Sequence, residues 1–289
     1  MGKIIAVLSG KGEVGKTTIT ALLGTVLARK GYKVLLIDGD MGLRNLDLVL
    51  GLQNEVFFDF ADMSKGQCLE QDAVMEAAEN LYFIAASQQY TWGKIGSAAF
   101  YAAVEDLQPQ YDFILVDCPA GIGKGYKYAV KAADQILIVT EPTWVSVRDA
   151  DRIIRDCNKK RIWKCAVLLN NFYSDSETYL SVRQVLDTLL PEQVAGVLPH
   201  SEEVVKAAQL GTAAKLPAEL PYMQAMEKTA AFCIEETEAD IQEWEQYLPS
   251  EKKEAAMHAE AETSKETEAE RTGLRQRLKR ISFWRWNRK

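Results

Sequence analysis

Residues 10–18 read Gly10-Lys11-Gly12-Glu13-Val14-Gly15-Lys16-Thr17-Thr18, and Gly10, Gly15, Lys16 and Thr17 satisfy the spacing G-x-x-x-x-G-K-[ST]. The chemistry of this pattern is phosphate binding. Backbone N–H groups of the loop and of a helix N-terminus face the phosphates. Lys16 neutralises the outer phosphates, and the Thr17 hydroxyl suits Mg²⁺. The same stretch contains Gly10-x-Gly12-x-x-Gly15, the turn of a dinucleotide site, with Asp38 lying about 20 residues on, as a ribose-binding acid would. The Lys16-Thr17 pair decides for a Mg-nucleoside triphosphate, because a dinucleotide site needs neither. Two apolar runs end in further carboxylates, Asp38-Gly39-Asp40 and Asp117-Cys118-Pro119-Ala120-Gly121. Strand-end carboxylates suit the waters of a bound Mg²⁺, which keeps several of them and takes few protein ligands. The reaction implied is phosphoryl transfer, in which positioning and charge neutralisation dominate.

These groups need a scaffold. Lys3–Ser9 precedes the loop as a buried strand, and a helix is predicted over 15–30. Further strands are expected at Lys33–Asp38, Leu81–Ala86, Phe113–Asp117, Gln135–Thr140, Ala166–Asn170 and Val194–Leu198. Most are unbroken Val/Ile/Leu runs, as in a parallel sheet covered on both faces. Helices are expected at 97–107, 144–160, 177–189, 201–210 and 222–246. The alternation predicts an α/β, doubly wound, mostly parallel sheet whose ligands bind at the carboxyl ends of the strands. The domain is expected to span 1–248, followed by a charged linker at 249–271 and a basic amphipathic helix at 272–289.

The second lysine of the loop, Lys11, carries a resemblance. A lysine directly after the first glycine resembles the deviant-Walker P-loop ATPases of the ParA/MinD family. The runs Gly42-Leu43-Arg44-Asn45-Leu46-Asp47-Leu48, Asp117-x-Pro119-Ala120-Gly121-Ile122 and Ser146-Val147-Arg148-Asp149-x-Asp151-Arg152 are similar to its MinD branch over roughly 1–244. The resemblance implies an ATP hydrolase with ATP and Mg²⁺ as cofactors. It gives Lys11 a reach to the partner's nucleotide in an ATP-bound homodimer, and Asp40 the task of orienting the attacking water. Thr17, Asp38 and Asp117 would stand around the metal, with loop residues 10–18 on the phosphates. Asn170 and the loop at Pro199 would contact adenine, with Asn171 a second candidate. It further implies division-site placement, with a MinC-like inhibitor and MinE or another topology factor as partners. Two departures are present. Glu13 replaces a loop glycine, and Gly123 replaces a Glu that usually follows P-A-G-I. Nucleotide binding is expected to survive Glu13.

The 289 residues carry five scattered cysteines without a C-x-x-C, as expected of reduced cytosolic thiols. No secretory leader and no 18-residue apolar run is read. The net charge of −7 hides an asymmetry. Residues 250–270 hold seven Glu against three Lys, whereas 271–289 hold eight Lys/Arg and no acid. In that tail Leu274, Leu278 and Ile281 share a helical face with Trp284 at its edge, and Phe283 and Trp286 lie off the stripe. Such a helix suits an anionic membrane interface at the cytoplasmic face of a bacterial inner membrane. Basic residues interleaved with aromatics also bind nucleic acid, so a DNA-partition or flagellar-placement ATPase is the alternative. A metabolic synthetase on the same fold would need a substrate pocket, to which no residues are committed.

Overall fold

The computed structural model describes residues 1–235, apart from 163, 174–177 and 192. The expected linker and tail, and the expected helix beyond position 235, lie outside the described residues. The chain runs β1 (Lys3–Leu8), α1 (Lys16–Arg29), β2 (Val34–Asp38), α2 (Leu46–Leu50), α3 (Phe60–Ser64), α4 (Glu70–Ala73), β3 (Val74–Ala78) and β4 (Leu81–Ile84). It continues through α5 (Trp92–Ile95), α6 (Ser97–Leu107), β5 (Phe113–Asp117), α7 (Lys124–Ala132), β6 (Gln135–Thr140) and α8 (Trp144–Lys159). Then come β7 (Cys165–Phe172), α9 (Val182–Leu189), β8 (Gln193–Pro199), α10 (Glu202–Gln209) and α11 (Pro221–Glu235).

The strands form one sheet in the order β3-β4-β2-β5-β1-β6-β7-β8. All neighbours are parallel except the β3–β4 hairpin at the edge. The central strands are buried along their whole length, which is why their sequences are unbroken apolar runs rather than alternating ones. One core is built from α1, α2, α10 and α11 against the sheet, through residues such as Ile19, Leu23, Leu36, Leu115 and Met226.

Several boundaries differ from expectation for identifiable reasons. Helix α9 starts at Val182 because Ser181 caps it, accepting from Gln184 N–H while the Gln184 side chain returns to the Ser181 N–H. Strand β3 is absent from the sequence reading. Its residues, Val-Met-Glu-Ala-Ala, are partly exposed and mostly poor strand formers, ordered by pairing with β4. Helix α7 is also unanticipated; Tyr126, Ala129 and Val130 give it one buried face.

The order of strands sets the site. Strand β1 lies between β5 and β6, so its C-terminal loop opens at the point where the sheet's winding reverses. In the register of β2 with β5, Asp38 stands directly beside Asp117, and Asp117 in turn pairs with Val7 of β1.

Candidate nucleotide site

The loop between β1 and α1 is shaped by close approaches. A Cβ on Gly10 would lie 2.3 Å from the Asp149 carbonyl oxygen on α8, so a side chain there has no room. Gly15 adopts φ 84° at the N-cap of α1, and a Cβ there would meet Asn170 Nδ2 at 2.4 Å. No side chain caps α1, and its first turn carries no acid. The leading N–H groups of a helix lack intrahelical partners, so this end is free to face an anion. The neighbouring strand ends are stitched to one another and to the start of the loop: Gly39 N–H donates to Asp117 O at 2.8 Å, Cys118 N–H to Val7 O at 3.1 Å and Gly121 N–H to Ser9 O at 2.9 Å.

Lys16 and Asp117 form a buried ion pair, Nζ to Oδ1 at 2.7 Å. Burial by itself lowers the Lys16 ammonium, but the facing Asp117 carboxylate overrides it and the group ends up raised and charged. Asp117 Oδ2 is buried with no hydrogen-bond partner. Asp38 is wholly buried; its Oδ1 accepts from Asp40 N–H at 2.9 Å and its Oδ2 from Asn45 and Leu46 N–H at 3.0 Å each. Burial, and then the Asp117 charge, push the Asp38 carboxyl up to about 7 against those three donors. Asp40 is half-buried, accepts from Asn45 Nδ2 at 3.4 Å, and is also raised, by burial more than Lys16 lowers it. Carboxyl groups raised by burial and by the neighbouring Asp117 charge favour a cation beside them. Among the described residues no cluster of three or more His, Cys, Asp or Glu could hold a metal alone. Mg²⁺ is usually held by one or two carboxylates together with phosphates.

The remaining expected residues fall as follows. Thr17 and Thr18 lie in the first turn of α1, half-buried. Lys11 and Gly12 are exposed at the loop's tip, the Lys11 carbonyl accepting from Ser9 Oγ at 2.8 Å. Asn170 supports the loop from behind, donating to the carbonyl of buried Val14 at 2.9 Å and accepting from Tyr222 Oη at 3.0 Å. Asn171 points elsewhere, donating to Glu141 Oε1 at 2.7 Å. Pro199 ends β8, and His200 beside it stacks on Tyr173 with ring centroids 4.6 Å apart. Tyr222 and Tyr173 were not legible as site residues; nothing in their local sequence marks a contact made across the fold. Cys118 is buried, its thiol raised by burial, and it donates to Val116 O at 3.5 Å.

Glu13 sits at φ 65°, the left-handed region that a glycine occupies freely. For a residue with a Cβ this conformation costs about 1–2 kcal/mol. Glu13→Gly is therefore expected to raise the melting temperature of the nucleotide-free protein and to tighten ATP binding, since a like charge leaves the neighbourhood of the phosphates. Calorimetric titration with ATP measures this; weaker binding by the glycine variant would show that Glu13 makes a contact of its own.

Residues 5–213 match the CobQ/CobB/MinD/ParA nucleotide binding domain. The septum site-determining protein MinD of Synechocystis is 39% identical over 216 residues, covering 73% of this chain and 81% of that protein. The MinC:MinD cell division protein complex of Aquifex aeolicus contains a chain that superposes with a TM-score of 0.75 at 35% identity, covering 83% of this chain and 98% of that one. The septum site-determining protein MinD of Pyrococcus horikoshii, solved with Mg-ADP, gives 0.71 at 30% identity, covering 81% and 97%.

Proposed function

The chain belongs to the MinD family within the CobQ/CobB/MinD/ParA nucleotide-binding domains, and from that membership we propose that it is a Mg-dependent ATPase for division-site placement, acting as an ATP-bound dimer on a membrane. The observation that carries this reading is the convergence of the loop lysine with two strand-end carboxylates: Lys16 on Asp117, and Asp38 in register beside it.

Each residue then has a task. Lys16, paired with Asp117, supplies its ammonium to the outer phosphates of ATP. The N–H groups of residues 10–18 line the phosphates. Thr17, Asp38 and Asp117 are the residues that would hold Mg²⁺ directly or through its waters, and the unpartnered Asp117 Oδ2 suits that use. Bound with ATP, Mg²⁺ supplies neutralisation of phosphate charge. Asp40, one residue past the Asp38–Gly39 turn, orients the attacking water. Lys11, exposed at the loop tip, reaches the nucleotide of the second subunit, so turnover is slow in the monomer and rises on dimerisation. Asn170 and the loop at Pro199 contact adenine, and the Asn170 amide also supports the phosphate loop through Val14.

The Aquifex relative was solved with MinC, which supports a MinC-like division inhibitor as cargo. Release falls to MinE or another topology factor, and Gly123 alters the surface such a regulator would meet. The tail supplies the membrane contact. Each Lys or Arg near an anionic surface contributes up to ~1 kcal/mol, while ordering each residue costs on the order of 1–2 kcal/mol. One tail therefore binds weakly, and two on an ATP-clamped dimer gain ~10²–10⁴ in avidity. ATP-bound protein thus resides on the cytoplasmic face of the inner membrane and ADP-bound protein in the cytoplasm.

Deleting residues 272–289 is the test of that division of labour. ATP binding and dimerisation are expected to stay at parent level, while co-sedimentation with anionic liposomes drops to background. Liposome binding that survives the deletion would remove the tail from the account. Retained binding to duplex DNA by a parent chain that ignores lipid would favour a partition ATPase instead.

A further inference from the structure

Trp92 lies outside every motif, yet it sits between the two loops that carry the reacting groups. It opens the short helix α5, is 7% exposed, and its indole Nε1–H donates to the Gly39 carbonyl at 2.7 Å. That carbonyl and the Asp40 N–H belong to one planar peptide. The Asp40 N–H is itself bonded to Asp38 Oδ1 at 2.9 Å. The peptide plane from Gly39 to Asp40 is thus pinned at both edges, by Trp92 on its oxygen and by Asp38 on its nitrogen. Without the first bond, the plane would be held at its nitrogen edge alone, next to a glycine that resists turning little.

The same indole packs against Gly125, in the first turn of the helix that follows the other loop. A Cβ on Gly125, at the start of α7, would lie 2.4 Å from Trp92 Nε1 and 2.7 Å from both its Cδ1 and the Pro119 Cγ. Gly125 is bare of a side chain where the ring needs the space. Behind it the indole is held edge-on by Phe100 and Tyr128, with centroids 5.1 and 5.7 Å away.

We infer that Trp92 is a positioning residue for hydrolysis: it fixes the Gly39–Asp40 peptide plane, and hence the direction in which the Asp40 carboxylate leaves the backbone, and it couples that loop to the Pro119 loop. This rests on the reading of Asp40 as the group that orients the attacking water.

Trp92→Phe in the full chain keeps a ring and loses the donor. The expected result is a kcat lower by on the order of 10-fold, within the range that small misplacements of catalytic groups produce, with ATP affinity within about two-fold of parent and the melting transition retained. A folded variant with parent kcat overturns the inference, as does a parallel loss of kcat and ATP affinity. Should Trp92→Phe fail to fold, Gly125→Ala displaces the ring from the opposite side. It is expected to give the same split, and parent kcat from it would equally overturn the inference. Asp40→Ala, measured alongside, separates the two ideas. If it turns over at the parent rate, the Asp40 reading fails; if it is inactive while Trp92→Phe is parent-like, only the Trp92 inference fails.

Discussion

Lys16→Ala is expected to abolish ATP-dependent behaviour and also to weaken the nucleotide-free fold. The variant removes the main protein cation facing the outer phosphates. Truncating one member of a buried charge pair costs about 2–5 kcal/mol, so ATP affinity should fall by roughly 30-fold to several thousand-fold. The same change strands Asp117, which is fully buried beside Asp38. Leaving a buried charge without its partner costs about 3–5 kcal/mol. Titration calorimetry reads the first effect and the melting temperature without nucleotide reads the second. Parent-level hydrolysis by this variant would refute the phosphate-loop assignment.

Asp40→Ala should separate binding from chemistry. The Asp40 carboxylate touches none of the groups assigned to hold phosphate in the ground state; it accepts from Asn45 Nδ2, and Lys16 acts on it only through charge. Its removal should leave ATP binding intact and lower kcat by about 10²–10⁴, the usual range for a group that handles the reacting water. With the nucleotide unspent, gel filtration with light scattering should show a dimer that persists after ATP is added. Rapid phosphate release by the variant would take Asp40 out of the mechanism.

The parts of the fold that the sequence displays are those in which local pattern and tertiary role coincide. Strands β2, β5 and β6 read as apolar runs because both their faces are buried, and helix α6 begins and ends at Ser97 and Leu107, as its periodicity predicts. The phosphate loop is legible because its chemistry is local: nine consecutive residues, from Gly10 to Thr18, carry it. What escapes the sequence is contact made over long separations. Asn170, expected at the end of an apolar strand to contact adenine, also reaches back with its amide to Val14, and Tyr222 completes that pair from α11. Trp92 stands in a stretch with no periodicity to read, and its bond to Gly39 joins the segments that follow two neighbouring strands, β4 and β2. Helices α2 to α5 span only four or five residues each, too short for a 3.6-residue period to show. Glu13 is intermediate. Its departure from the family loop is visible in the sequence, and the positive φ that makes it costly is visible only in the structure.

The central claim is that nucleotide state governs membrane residence through dimerisation. Co-sedimentation of the full chain with anionic liposomes, in Mg-ATP against Mg-ADP and with duplex DNA as competitor, tests it most directly. The account predicts that most of the protein pellets with lipid in ATP, that little does in ADP, and that DNA does not displace it. Equal pelleting in the two nucleotides, or release from lipid onto DNA, would contradict it.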